Sequence, residues 1–142
     1  MPSNQAPHPL EVAISLSEQS AINVAKKFGT VVPFGIAVVQ PDNAPQTHFV
    51  REKYPDLDYG GLVEKVIEEL RARVLVGDVQ ATVAVSEVQS AEGQRGFATQ
   101  IESVSGISLL IYPYHFDEGE VVVGEPIYEE GRIMFGSTFG GE

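Results

Sequence analysis

The chain has no cysteine and no tryptophan. Without a thiol, disulfide frameworks, thiolate zinc sites, iron–sulfur clusters and cysteine nucleophiles are excluded, and a reducing compartment is the natural expectation. Histidine is scarce as well: only His8, His48 and His115 occur. None stands at H-x-x-x-H or H-x-x-E-H spacing, so no metal site is expected. Long apolar runs are missing, and the opening MPSNQAPHPL contains no lysine or arginine. Neither a secretory signal nor a membrane anchor is expected, which predicts a cytoplasmic protein without membrane contact. Positive charge is short too, with Lys+Arg 9 against Asp+Glu 20 and a net charge of -11. Such a chain repels phosphate backbones, so nucleic acid is not an expected partner. The glycine-rich stretches YGGLVEK and GSTFGGE match neither G-x-G-x-x-G nor G-x-x-x-x-G-K-[ST], and no serine sits in a G-x-S-x-G elbow. No cofactor is expected from them.

What is present reads as one domain of mixed structure. At 142 residues the chain is long enough to bury about two-thirds of its unfolded surface. Residues 1–9, rich in Pro, Ser, Asn and Gln, predict a disordered tail, and 137–142 a flexible Gly-rich one. Between them, residues 10–136 form the expected domain. Leu10, Ile14, Ser17, Ala21, Ala25 and Phe28 recur at helical spacing, with Pro9 ahead and Gly29 as the C-terminal cap, so most of 10–28 is predicted helix. LEVAISL also alternates like a strand, which leaves open a helix that begins only at Ser17. TVVPFGIAVVQ is a strand starting near Phe34 after Pro33, and the PDNAP turn leads into a second strand, QTHFVRE. PDLDYGG supplies capping aspartates. Leu62, Val63, Val66, Ile67, Leu70 and Val74 then make an apolar stripe along a helix over 59–76. From Asp78 onward the period is two: DVQATVAVSEVQ, FATQIESVS, GISLLIYPY and VVVGEPIY are strands separated by short turns, and RIMF is a possible edge strand.

The predicted fold is α+β in the order α-β-β-α-β-β-β-β. Its antiparallel sheet has five to six strands, and the two helices pack on one face. TVVPFGIAVV, RARVLVGDVQA and IESVSGISLLIYPY together resemble segments of small bacterial single-domain proteins of unknown function, over about residues 10–128. The element order is also similar to roadblock and profilin-like modules. Neither resemblance implies an activity.

The stretch YPYHFDEGE is the one place where chemistry suggests itself. His115 has the residue type of a general acid or base, and Asp117 could orient it if the turn folded back. The competing reading is structural: ISLLI looks like a central strand buried on both sides, and Tyr112, Tyr114 and His115 mark where it surfaces, with Pro113 near its end. The sequence favours the structural reading, so no catalytic residue is assigned and His115 and Asp117 stand as the candidates. Asp117, Glu118 and Glu120 make too short a loop for calcium. Gln100 and Glu102 share a strand face, and Glu87 and Glu102 are expected on an open side of the sheet. Residues 102–142 hold eight acids and one base, contributing -7 of the net charge. The expected role is a non-enzymatic protein-interaction module, homodimeric through an edge strand or open sheet face. The alternative is a small-ligand binder or minor enzyme built at a strand-end cleft around His115.

Overall fold

The computed structural model describes residues 9–39, 44–103 and 106–129. Helix α1 (Pro9–Phe28) is followed by strands β1 (Phe34–Val39) and β2 (Ala44–Phe49), and helix α2 (Tyr59–Val74) then precedes β3 (Val79–Gln89), β4 (Arg95–Ser103), β5 (Gly106–Asp117), β6 (Glu120–Val123) and β7 (Ile127–Glu129). The sheet is antiparallel in the order β2-β1-β3-β4-β5-β6, with β7 also paired to β5. This is the expected α+β class and element order, with two differences.

VVVGEPIY is two strands, because Gly124-Glu125-Pro126 interrupts it. β6 pairs with residues 114–117 of β5 and β7 with residues 109–111. The Gly124 N–H donates to the Pro113 carbonyl (2.8 Å) in the gap between them. Both main-chain polar groups of a strand residue face the same neighbour, so the N–H that Pro113 lacks falls in that gap and costs no ladder bond. Pro113 therefore lies inside β5 and does not end it.

The second difference concerns the helices, which pack on opposite faces of the sheet and not on one. Phe34, Ile36 and Val38 of β1 join α1 residues Ala13, Ala21, Val24 and Ala25 in one core cluster. Ala37 and Val39, the alternate positions, join Leu62, Val66, Leu70 and Val74 of α2 in the other. All six residues of β1 are buried, which a strand achieves only when both faces are covered. The close fit on the α2 side depends on Gly35. A Cβ there would lie 2.9 Å from Leu70 Cδ1 and 3.0 Å from Val66 Cγ1, so glycine lets the helix approach.

Local chemistry fixes the ends of these elements. α1 runs unbroken from Pro9, and its sheet-facing side is built of small residues, Ala13, Ser17, Ala21 and Ala25, all fully buried. Ser17, Ala21 and Ala25 are the predicted positions; Ala13 takes the place expected of Ile14, which packs only partly buried against the same core, and Phe28 is left partly exposed. The Gly29 N–H caps α1 on the Ala25 carbonyl (2.7 Å). At the start of α2 the Asp58 carboxylate accepts from the Gly61 N–H (2.8 Å), satisfying one of the free first-turn donors. α2 stops at Val74, and Arg73 grips Asp78 with two bonds (2.7 and 3.1 Å), tying the helix exit to β3. β5 and β6 meet in a two-residue turn, Glu118-Gly119, with both residues at positive φ (52° and 84°), the geometry that suits a tight hairpin. Of the expected N-terminal tail, Pro9 belongs to α1 and residues 1–8 lie outside the described residues, as do the expected RIMF strand and the C-terminal tail. No helix among the described residues is long and apolar enough to cross a membrane.

Candidate functional site

β5 carries the residues singled out from the sequence, and its two sides have different fates. On the α1 side Leu110, Tyr112 and Tyr114 are buried, Phe97 stacking on Tyr112 with ring centroids 4.9 Å apart. On the α2 side Leu109, Ile111 and Pro113 are only half-buried and His115 is exposed. The expectation of a strand covered on both sides fails because the contacts of α2 concentrate on β1, β2 and β3 and it stops short of β5. The two tyrosines, expected at a wet boundary, are instead core residues.

His115 lies opposite Val122 of β6, and Asp117 opposite Glu120. His115 and Asp117 sit two residues apart on one strand face, both exposed, and no hydrogen bond joins them among the described residues. Among the described residues no group of three or more His, Asp or Glu side chains is arranged to hold a metal ion.

The most elaborate polar constellation centres on Glu87, which the pairing Glu87↔Phe97 places on the α1 face, whereas Thr82↔Glu102 places Glu102 on the α2 face. The two carboxylates expected to share an open face are therefore on opposite sides, and Glu102 is fully buried. Glu87 Oε1 accepts from the Thr30 hydroxyl (2.7 Å), from the Val31 N–H (2.7 Å) and from the Tyr114 hydroxyl, and Oε2 accepts from Arg95 Nε (2.8 Å). Arg95 also donates to the Gly29 carbonyl (2.7 Å), and its guanidinium lies over the rings of Tyr114 and Phe116 at 5.1 and 5.5 Å. Burial pushes the Glu87 carboxyl up, but the bonds from Arg95, Tyr114, Val31 and Thr30 outweigh it and hold the group below its ordinary range. Tyr114 moves the other way, its phenol pushed well up by burial and by Glu87. A carboxylate that accepts from four donors and is held below its ordinary range is ionised. It clamps the turn after α1 to β3, β4 and β5, the role of a structural carboxylate.

A second linked set lies at the other side of the sheet. His48 Nδ1 is 3.0 Å from Glu69 Oε1, and Lys53 donates to both Glu69 oxygens (3.1 Å each). Burial raises the Glu69 carboxyl, while His48 and Lys53 lower it further, so the balance is downward. This set pins β2 and the segment after it to α2.

The described residues leave the α2 face of β5 to β7 partly open, while on β4 the same face holds the fully buried Glu102. Ile127 is 54% exposed and Val122 41%. They lie beside Ile111 and His115, their register partners. Along the flank of α2 this surface continues into a cleft of about 150 Å³ lined by Val63, Ile67, Ala98, Gln100 and Leu109. At its edge stands Asp117, exposed, on the same strand face as His115 and without a partner among the described residues. The sequence signal for this surface was the acidic final third combined with β-branched residues. The signal for the Glu87 clamp, a carboxylate at an α1-facing position of β3, was visible only once the register was known. No protein-family model matches the chain, and neither a curated protein nor a solved structure matches it.

Proposed function

We propose that the protein is a non-enzymatic interaction module that docks a protein partner on the α2 face of β5 to β7, which the described residues leave partly open. The observation that carries this reading is the mismatch between α2 and the sheet: one helix covers the inner strands and leaves Leu109, Ile111, Val122 and Ile127 with apolar area in water. Contiguous apolar surface rimmed by polar groups is a usual mark of a protein interface. Asp117 at its edge and the net charge of -11 favour a partner with an apolar centre and a basic rim. Pairing along a sheet edge is the weaker route. The β5 edge is split into strands of four and three residues, and β2 carries Pro45 and is largely exposed. A second copy docked about a two-fold axis on this face would set carboxylates against carboxylates.

The test compares the wild-type protein with a Val122→Lys/Ile127→Lys variant. The wild type is expected to be monomeric by light scattering at micromolar concentration. It should capture a partner whose binding weakens with salt and protects β5 to β7 from hydrogen exchange. The variant should lose that partner with its melting temperature unchanged. Retention by the variant, or protection elsewhere, would overturn the proposal. A wild-type dimer dissociated by Val122→Lys would replace the foreign partner with a second copy.

A further inference from the structure

The cations of this acidic chain are unevenly placed, and Arg51 has no counter-charge among the described residues. Four of the nine Lys and Arg residues, Lys26, Lys27, Arg51 and Lys53, fall in the last turn of α1 and just after β2. Lys26 pairs with Glu120 (3.2 Å), Lys27 with Glu52 (3.1 Å) and Lys53 with Glu69 (3.1 Å). Arg51 is exposed and has no hydrogen bond, ion pair or ring contact among the described residues. Lys26 and Lys27 also answer the partial negative charge at the end of α1, so the surplus positive charge is that of Arg51.

Beside Arg51 a cavity of about 240 Å³ opens between the last two turns of α1, residues 32–33 and residues 49–52. Its floor is aliphatic, formed by the buried Val24, Val32 and Val50. Phe28 and Phe49 stand in its wall and remain 37% and 43% exposed, with the Phe49 ring held 5.6 Å from Phe34. Ser20, Asn23, Lys27, Glu52 and Arg51 supply its polar lining. Lys27 and Glu52 neutralise one another there, which leaves an apolar hole with one net positive charge at its mouth. We propose that this cavity is a binding site for a small carboxylic acid with a short apolar body, an acyl chain or a single ring. The body fills the aliphatic floor between the two phenylalanines, and the carboxylate meets the Arg51 guanidinium, whose planar fork matches it with two parallel bonds. The volume falls just under the range of about 300–1,000 Å³ common for ligand pockets, which restricts the body to roughly eight carbons. This site lies on the α1 side of the sheet and is independent of the docking face proposed above.

Octanoate is the probe, titrated into the full chain and followed by the amide and methyl resonances of the protein. Saturable binding is expected, with the shifts concentrated on Val24, Phe28, Val32 and Phe49. Octanol should bind about tenfold more weakly, the loss of one charge-assisted contact, and octylammonium more weakly still. Arg51→Gln, a surface change that leaves the melting temperature in place, should bring octanoate down to the level of octanol, and Arg51→Lys should recover part of the loss. Affinity should rise from butanoate to octanoate and then level off, because a longer chain has no further cavity to fill. Absence of saturation, shifts confined to the α2 face, equal binding by the wild type and Arg51→Gln, or equal binding of octanoate and octanol would each overturn the assignment.

Discussion

Strands β1 and β5 are both predominantly apolar, yet the molecule treats them differently. β1 is buried at every position, with α1 on one side and α2 on the other. β5 is buried only on the α1 side, and its α2 side ends in the exposed His115. An apolar run records that a strand has something to bury without saying what will cover it. Coverage is decided by the length and placement of the helices. α2, 16 residues and about 24 Å long, reaches β1, β2 and β3, and among the described residues no helix covers the α2 side of β5. The doubly covered strand is thus the structural centre, and the singly covered one has area left for a partner.

The sharpest way to break this contrast is to remove the cover of β1. Leu70 is fully buried on α2 and lies against the Gly35 position. Leu70→Ala should destabilise the fold by about 2–5 kcal/mol in denaturant melts, whereas a change within about 0.5 kcal/mol would deny α2 its role. Next in size is the clamp on the other face. Glu87→Gln leaves Arg95 without its carboxylate and faces an amide against donors, which should cost about 2–3 kcal/mol at neutral pH. The sign of its pH dependence follows from the direction of the shift. The folded-state pKa of Glu87 lies below its unfolded value, so the stabilisation is present above about pH 4 and is lost as pH falls through the folded value. The gap in stability between wild type and Glu87→Gln should therefore narrow on acidification, and the other depressed carboxyls, Glu69 and Asp78, are common to both proteins and cancel. A gap that is constant down to pH 3 would mean that Glu87 contributes as a shape and not as a charge.

Much of the fold was legible in the sequence because its signals are local. The α2 stripe from Leu62 to Val74, the capping Asp58, the Pro33-Phe34 strand start and the period of two after Asp78 depend on near neighbours, and the structure follows them. Which face each helix takes depends on residues far apart in the chain. Phe34 and Ile36 meet Ala21 and Val24, while Ala37 meets Leu62 and Val66. Periodicity separates the two sides of a strand without saying which helix lies on which. The same limit applies to Glu87 and Glu102: they are on opposite faces because of a register set by the β3–β4 turn. The cavity beside Arg51 was still less visible, since it joins residues near 24, 32 and 50 that share no motif.

A smaller effect probes the fit between β1 and α2 directly. Gly35→Ala drives a Cβ to within 2.9 Å of Leu70 and 3.0 Å of Val66, so these side chains must shift, and should cost about 1–2 kcal/mol. Combined with Leu70→Ala, which opens the space that the new methyl needs, the double variant should be less destabilised than the sum of the two changes. Strict additivity would show that the two residues are not in contact.

The smallest expected effect lies on β5, at His115. Its ring is exposed, faces Val122 across the β5–β6 ladder, and has no hydrogen bond among the described residues. No packed neighbour is lost when the ring is replaced, and glutamine keeps a polar side chain of similar reach at a strand position open to water. His115→Gln should therefore shift stability by no more than about 0.5 kcal/mol, far less than either change on the β1 side. The same variant distinguishes a docking surface from a catalytic one. Apolar docking centred on Ile111, Val122 and Ile127 should retain most of its affinity when one rim side chain changes, whereas general acid–base chemistry would lose about 10²–10⁴-fold in rate. Melting curves and partner titrations on His115→Gln, set beside Val122→Lys, decide the matter. A rate or affinity that collapses in His115→Gln at an unchanged melting temperature would make this face an active site, and survival in His115→Gln with loss in Val122→Lys would make it an interface.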